Sequence, residues 1–232
     1  MNQGFGAVYP GFSQASLSVE QRNRVLRNTY WLLSLSMVPT VLGAWFGVST
    51  GIMSAMSPMV SMIVFLAGSF GLIFLIEKTK NSSAGVYVLL GFTFFMGVML
   101  SRLLAFTLLK SNGAGLIMLA FSGTGIIFFG MATLSTIIKR DVSSMGKFLF
   151  VGAVMLLVAG IANVFLQSTA LFATLCALSI GIFSAFVLYD LKRIRDGHES
   201  NYITATLGVY LSLFNVFQSL LSLLTVFGGR DD

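Results

Sequence analysis

Asp190 is the carboxylate whose position most suggests chemistry. It follows residues 148–189, a run without Asp, Glu, Lys or Arg. Charge is poorly solvated at the edge of hydrocarbon, so such a group is a functional candidate. It is expected at the end of its helix, facing the negative end of the dipole, which disfavours ionisation. Two chemistries remain open. Paired with Arg193, three residues on and on the same helix face, it is an interfacial ion pair. Free to exchange its proton, it is a gate or an ion-pair latch, with Lys78, Lys80 or Arg193 as the cation.

A second group lies on the last apolar stretch. Ser212, Asn215, Ser219 and Ser222 fall within roughly 80° of one another at 3.6 residues per turn. Gln218 lies off that stripe. A narrow polar stripe is expected to turn away from lipid, toward other helices or a wet cavity. Ser219 and Ser222 read as interhelical hydrogen-bonding groups, each worth about 0.6 kcal/mol. For Ser212 and Asn215, packing and an ion or proton pathway both stay open.

The remaining polar groups point to less. Asn163 and Gln167 read as helix-packing groups, and Arg102 as a snorkelling side chain at an interface. Glu77 beside Lys78 reads as a solvated helix end. Cys176 and His198 are the only cysteine and histidine. This excludes a disulfide framework and a zinc cluster. There is no phosphate-binding loop, no G-x-S-x-G and no H-E-x-x-H. No catalytic residues, metal site or cofactor are expected, and the chain is read as a non-enzyme.

The elements that must position Asp190 and the stripe follow from charge placement. Only 9% of the 232 residues are charged and 56% are hydrophobic. About a quarter charged is usual for a soluble domain. Residues 28–76, 81–101, 111–138, 148–189 and 200–229 carry no Asp, Glu, Lys or Arg. A bilayer crossing needs about 20 apolar residues. The first and fourth runs hold two crossings each, with breaks at Ser49-Thr50-Gly51 and Gln167-Ser168-Thr169. The fold class is therefore an all-α membrane protein with seven transmembrane helices, near 29–48, 58–76, 84–106, 115–137, 147–166, 170–189 and 204–227. No period-2 pattern supports a β-barrel.

Lys and Arg concentrate in alternate loops. Arg22, Arg24 and Arg27, then Lys78 and Lys80, then Lys139, Arg140 and Lys147, then Lys192, Arg193 and Arg195 share one side. The positive-inside rule places that side and the N-terminus in the cytoplasm and the C-terminus outside. The basic residues mark topology, and nucleic acid is not an expected partner. Membrane lipid is.

Residues 1–27 form the expected cytoplasmic tail, and 28–232 one seven-helix domain. The tail lacks the apolar core of a signal peptide. Residues 1–15 are Gly- and Ser-rich and expected to be mobile, and Ser18 to Gln21 reads as a capping box opening a helix. Small residues at Ala177, Gly181 and Ala185, and at Ala67 and Gly71, are expected to mark close helix contacts.

Leu188-Tyr189-Asp190-Leu191-Lys192-Arg193-Ile194 resembles the end of the sixth helix of the Bax inhibitor-1 family. Asn201-Tyr202-Ile203-Thr204-Ala205-Thr206 and the stretch from Val209-Tyr210-Leu211-Ser212 to Phe217 resemble its last helix. Lys139-Arg140-Asp141 also matches. Arg27-Asn28-Thr29-Tyr30 with Leu32-Leu33-Ser34-Leu35 resembles the bacterial YccA branch. The resemblance spans 25–228.

It implies a bundle with the last helix central and the other six around it. Members of the YccA branch bind the membrane-anchored AAA protease FtsH and modulate its proteolysis. The implied function is the same, in a bacterial inner membrane, with the N-terminal tail as handle and the C-terminus periplasmic. The alternative is a pH-sensitive calcium leak. In such members an aspartate matching Asp190 shares a proton with a second aspartate on the last helix, and a basic residue closing the second helix latches it. Here Ser212 occupies that second position. A hydroxyl does not ionise, so two-carboxylate proton sharing is not available to this chain.

Overall fold

A computed structural model describes residues 18–228. The expectation of a mobile segment over 1–15 lies outside them. Eight helices follow in chain order: α1 (Val19–Thr50), α2 (Ile52–Ala55), α3 (Pro58–Thr79), α4 (Ser83–Leu108), α5 (Gly113–Ile137), α6 (Met145–Leu166), α7 (Thr169–Asp196) and α8 (Tyr202–Phe227). All except the single turn α2 are long and apolar enough to cross a membrane. The seven expected spans are all present.

The helix boundaries have local causes. Ser18 Oγ accepts from the Gln21 backbone at 3.2 Å, and Gln21 Oε1 accepts from the Ser18 backbone at 2.9 Å. This capping box starts α1, which continues unbroken into the first span. α1 ends at Gly51, whose φ of 66° suits glycine. Pro58 opens α3 as its first residue, where a missing N–H costs nothing. The break between α6 and α7 falls at Gln167, with φ 50°. Asn163 Oδ1 accepts there from the Ser168 backbone at 3.1 Å. Asn163 thus closes a turn, where the sequence suggested helix packing.

α8 packs against α1, α3, α4, α5 and α7. Of its most apolar stretch, 56% is buried, against 6% for α6. The last helix is therefore central, as expected. α6 leans chiefly on α7, outside the ring around α8. The core joins Leu32 and Leu33 of α1, Ile76 of α3, Leu89, Phe92 and Met96 of α4, Val187 and Leu191 of α7, and Val209, Tyr210 and Leu213 of α8. The outward faces carry large exposed apolar groups, such as Phe70, Phe74, Phe121, Phe129, Phe148 and Phe165. A surface this apolar is suited to lipid.

The closest backbone approach is between α1 and α4. A Cβ on Gly43 would strike the Phe94 carbonyl, and one on Gly97 the Thr40 carbonyl. Gly47 faces Ser101 in the same way. Small residues here let two backbones touch. The stripes singled out from the sequence do not: Gly71 and Gly181 have nothing within 4 Å of an added Cβ. Spacing by four residues marks a smooth face but not which helix lies over it.

Hydrogen bonds gather the basic loops at one end. Arg22 donates to the Arg195 carbonyl at 3.4 Å. Asn201 donates to the Lys80 carbonyl at 2.9 Å and to Asn81 Oδ1 at 3.0 Å. The α2 turn and the α4–α5 and α6–α7 connections lie at the opposite end.

Candidate functional site

α7 does not stop at Tyr189. It continues through Asp190 to Asp196 and caps at Gly197, with φ 82°. Charges mark the water interface, whereas the helix ends where its cap is. Asp190 therefore stands more than a turn inside α7, away from the terminal carbonyls. The dipole argument against its charge loses most of its force, since that field fades within the last turn. Arg193 and Arg195 occupy that turn instead.

Asp190 is directed at α8. A Cβ on Gly208 would stand 3.1 Å from its Oδ2. The Ser212 hydroxyl, one turn along α8, interacts with the carboxyl group. The same hydroxyl lies 3.0 Å from the Gly208 carbonyl, to which it can donate. Ser212 owns one hydrogen. An ionised Asp190 attracts it; a protonated Asp190 can donate to Ser212 Oγ and leave that hydrogen on Gly208. In this structure the Ser212 hydrogen rests on the Gly208 carbonyl.

The cations named as latches are not equivalent. Arg193 is the cation whose charge acts on Asp190, and the like charge of Glu199 acts against it. Its guanidinium also lies 3.8 Å from Glu199 and 5.6 Å from the centre of the Tyr189 ring. Lys80 is ion-paired with Glu77, and Lys78 sits 4.6 Å above the Phe74 ring. The structure does not bring either lysine to Asp190.

The polar stripe of α8 turns inward. Ser212, Ser219 and Ser222 are buried, and Gln218 is exposed. Asn215 is half-buried and donates to the Leu211 carbonyl of its own helix at 2.8 Å. Ser222 meets the buried Cys176 thiol of α7.

Two polar clusters escaped the sequence reading. Tyr210 is 1% exposed, and its hydroxyl is 2.9 Å from Thr40 Oγ1 of α1 and 3.5 Å from the Thr93 carbonyl of α4. A mid-span tyrosine must satisfy its hydroxyl, and that was the available signal. Lys192 is buried and holds both Asp196 oxygens, at 2.6 and 2.7 Å. Its signal was the Lys-to-Asp spacing of four. In the α5–α6 loop, Asp141 accepts from the Ser143 hydroxyl at 2.6 Å and backbone at 2.8 Å. These bonds hold its carboxyl below its ordinary range. No group of three or more metal-ligating side chains occurs among the described residues.

Residues 22–230 match a family model described as "Inhibitor of apoptosis-promoting Bax1". The Escherichia coli K12 protein named "Modulator of FtsH protease YccA" is 37% identical over 214 residues, covering 92% of this chain and 94% of that one. An uncharacterized membrane protein of Vibrio cholerae is 37% identical over 211 residues, or 91% and 93% of the two chains. An uncharacterized protein of Pseudomonas aeruginosa is 35% identical over 218 residues, or 93% and 96%.

Proposed function

Because the chain belongs to the Bax inhibitor-1 family, we propose that it is a multi-pass membrane regulator that binds FtsH and modulates its proteolysis. The observation carrying this reading is the 37% identity, over 92% of this chain, to a protein named as a modulator of FtsH protease. The likeness covers 94% of the other chain as well. The handle for the protease is the N-terminal tail that precedes α1, and the bundle anchors it.

In this reading the membrane is a bacterial inner membrane, and the basic end faces the cytoplasm, where Lys and Arg loops are retained. Asp190 and Ser212 form a proton-responsive contact between α7 and α8, with Arg193 as the neighbouring cation, while Asn215 stays bonded to Leu211 of its own helix. Lys78 and Lys80 would join it only after leaving Phe74 and Glu77. Ser212 removes the second carboxylate that a shared-proton calcium pathway requires, so the protease reading is preferred.

The test is co-purification in mild detergent. Tagged full-length protein should retain FtsH, and the same protein lacking residues 1–16 should retain much less. Absence of FtsH from the full-length eluate, with the bundle intact by thermal melting, would overturn the proposal.

A further inference from the structure

A cavity of about 250 Å³ opens at the end of the bundle opposite the basic loops. Met53 of α2, Met62 of α3, Met99 of α4 and Phe214 of α8 form its apolar wall. Three polar side chains reach it: Ser61, Arg102 and Gln218.

Ser61 is the unusual member. Many hydroxyls in these helices bond back to a carbonyl one turn earlier, as Ser34, Thr40 and Thr107 do. Ser61 Oγ is buried with no partner. A buried hydroxyl without a partner is costly, so an acceptor in the cavity would relieve it.

Arg102 supplies the charge. Its guanidinium is exposed, and its protein acceptor is the Met56 carbonyl at 3.5 Å. Among the described residues the carboxylates are Glu20, Glu77, Asp141, Asp190, Asp196 and Glu199. All six belong to the basic end. Among the described residues, Arg102 therefore faces the interface with no carboxylate beside it. A planar guanidinium with a hydroxyl donor fits a phosphate, which it can hold bidentately.

We propose that this cavity binds the phosphate of an anionic phospholipid, with the acyl chains continuing into the bilayer. The size agrees: whole-ligand pockets are about 300–1,000 Å³, so this one takes a head group and not an entire lipid. Chains leaving the mouth would meet Val60 and Ile63 of α3, both apolar and exposed. This site is independent of the protease reading, since it lies at the other end of the bundle.

The experiment uses the full chain in nanodiscs of mixed phosphatidylglycerol and phosphatidylcholine, released into native mass spectrometry. Phosphatidylglycerol should be retained selectively. Arg102→Gln should lower its apparent affinity about tenfold, the loss expected for one charge-assisted contact. Ser61→Ala should lower it about threefold. Lys110→Gln, which changes the cation over Phe106 at the same end, should leave it unchanged. Equal retention of both lipids would overturn the site, as would equal losses in the Arg102 and Lys110 variants. Should Arg102→Gln fail to fold, Ser61→Ala decides, because its hydroxyl contributes no hydrogen bond to the fold.

Discussion

Asp190 of α7 packs closely against Gly208 of α8: a Cβ there would stand 3.1 Å from Asp190 Oδ2. The carboxyl group and the glycine are therefore one feature. The glycine lets the acid approach Ser212, and the acid fills the space the glycine leaves.

Gly208→Ala should accordingly act in opposite directions in two backgrounds. Alanine favours a helix by about 1 kcal/mol over glycine. In the native chain, crowding against Asp190 should cancel or exceed that gain and lower the thermal midpoint. With Asp190→Ala the crowding disappears, and Gly208→Ala should raise it. The coupling expected for residues in contact is about 0.5–3 kcal/mol. Identical shifts in both backgrounds would show that the two residues do not touch.

The glycines divide into two classes that substitution separates. Gly43→Val and Gly97→Val place side-chain carbons against the carbonyls of Phe94 and Thr40, and backbone cannot rotate aside. Loss of about 4 kcal/mol or more, read as failure to survive detergent extraction, is expected. Gly71→Ala and Gly181→Ala point into open space and should leave stability unchanged or raise it by up to about 1 kcal/mol. Monodispersity by size-exclusion chromatography gives the comparison.

Lys192 and Asp196 should show the signature of a partly buried pair. Lys192→Met leaves Asp196 without its cation. The cost should fall below the ~3–5 kcal/mol of a fully buried pair, because Asp196 keeps 29% of its side chain in solvent. Adding Asp196→Leu should recover part of the loss. Denaturant titration of the three variants reads this directly, and a double variant weaker than Lys192→Met would contradict it.

Orientation is open to direct measurement. Alkaline phosphatase folds only outside the cytoplasm. Fused after Phe227 it should be active; fused after Asn81 or Asp141 it should be inactive. The reverse pattern would place the basic end outside and remove the tail from reach of a cytoplasmic protease.

The spans were legible because charge is excluded from hydrocarbon, so neutral runs had to be crossings. The stripe on α8 was legible for a related reason, since Ser212, Ser219 and Ser222 could not all face lipid. Helix ends were less so. Asp190 follows a neutral run, yet α7 continues to Asp196 because its capping glycine is Gly197. Pairing was the least legible. Gly43 and Gly47 have the same spacing as Gly181 and Ala185, and only the neighbouring helix distinguishes them. The latch shows the same limit: Lys78 and Lys80 share a level with Asp190 but are engaged with Phe74 and Glu77.

The helix at the middle of this bundle is also the one translated after the six others. Until α8 leaves the ribosome, the inner faces of α1, α4 and α7 have only lipid or each other to meet. A ribosome stalled before residue 202 would leave a ring without an axle, its Thr40 hydroxyl and Asp190 carboxyl turned toward an empty centre. Arrival of α8 then fills that centre, against α1, α3, α4, α5 and α7 together. For a polypeptide in a membrane, that order makes truncation self-reporting.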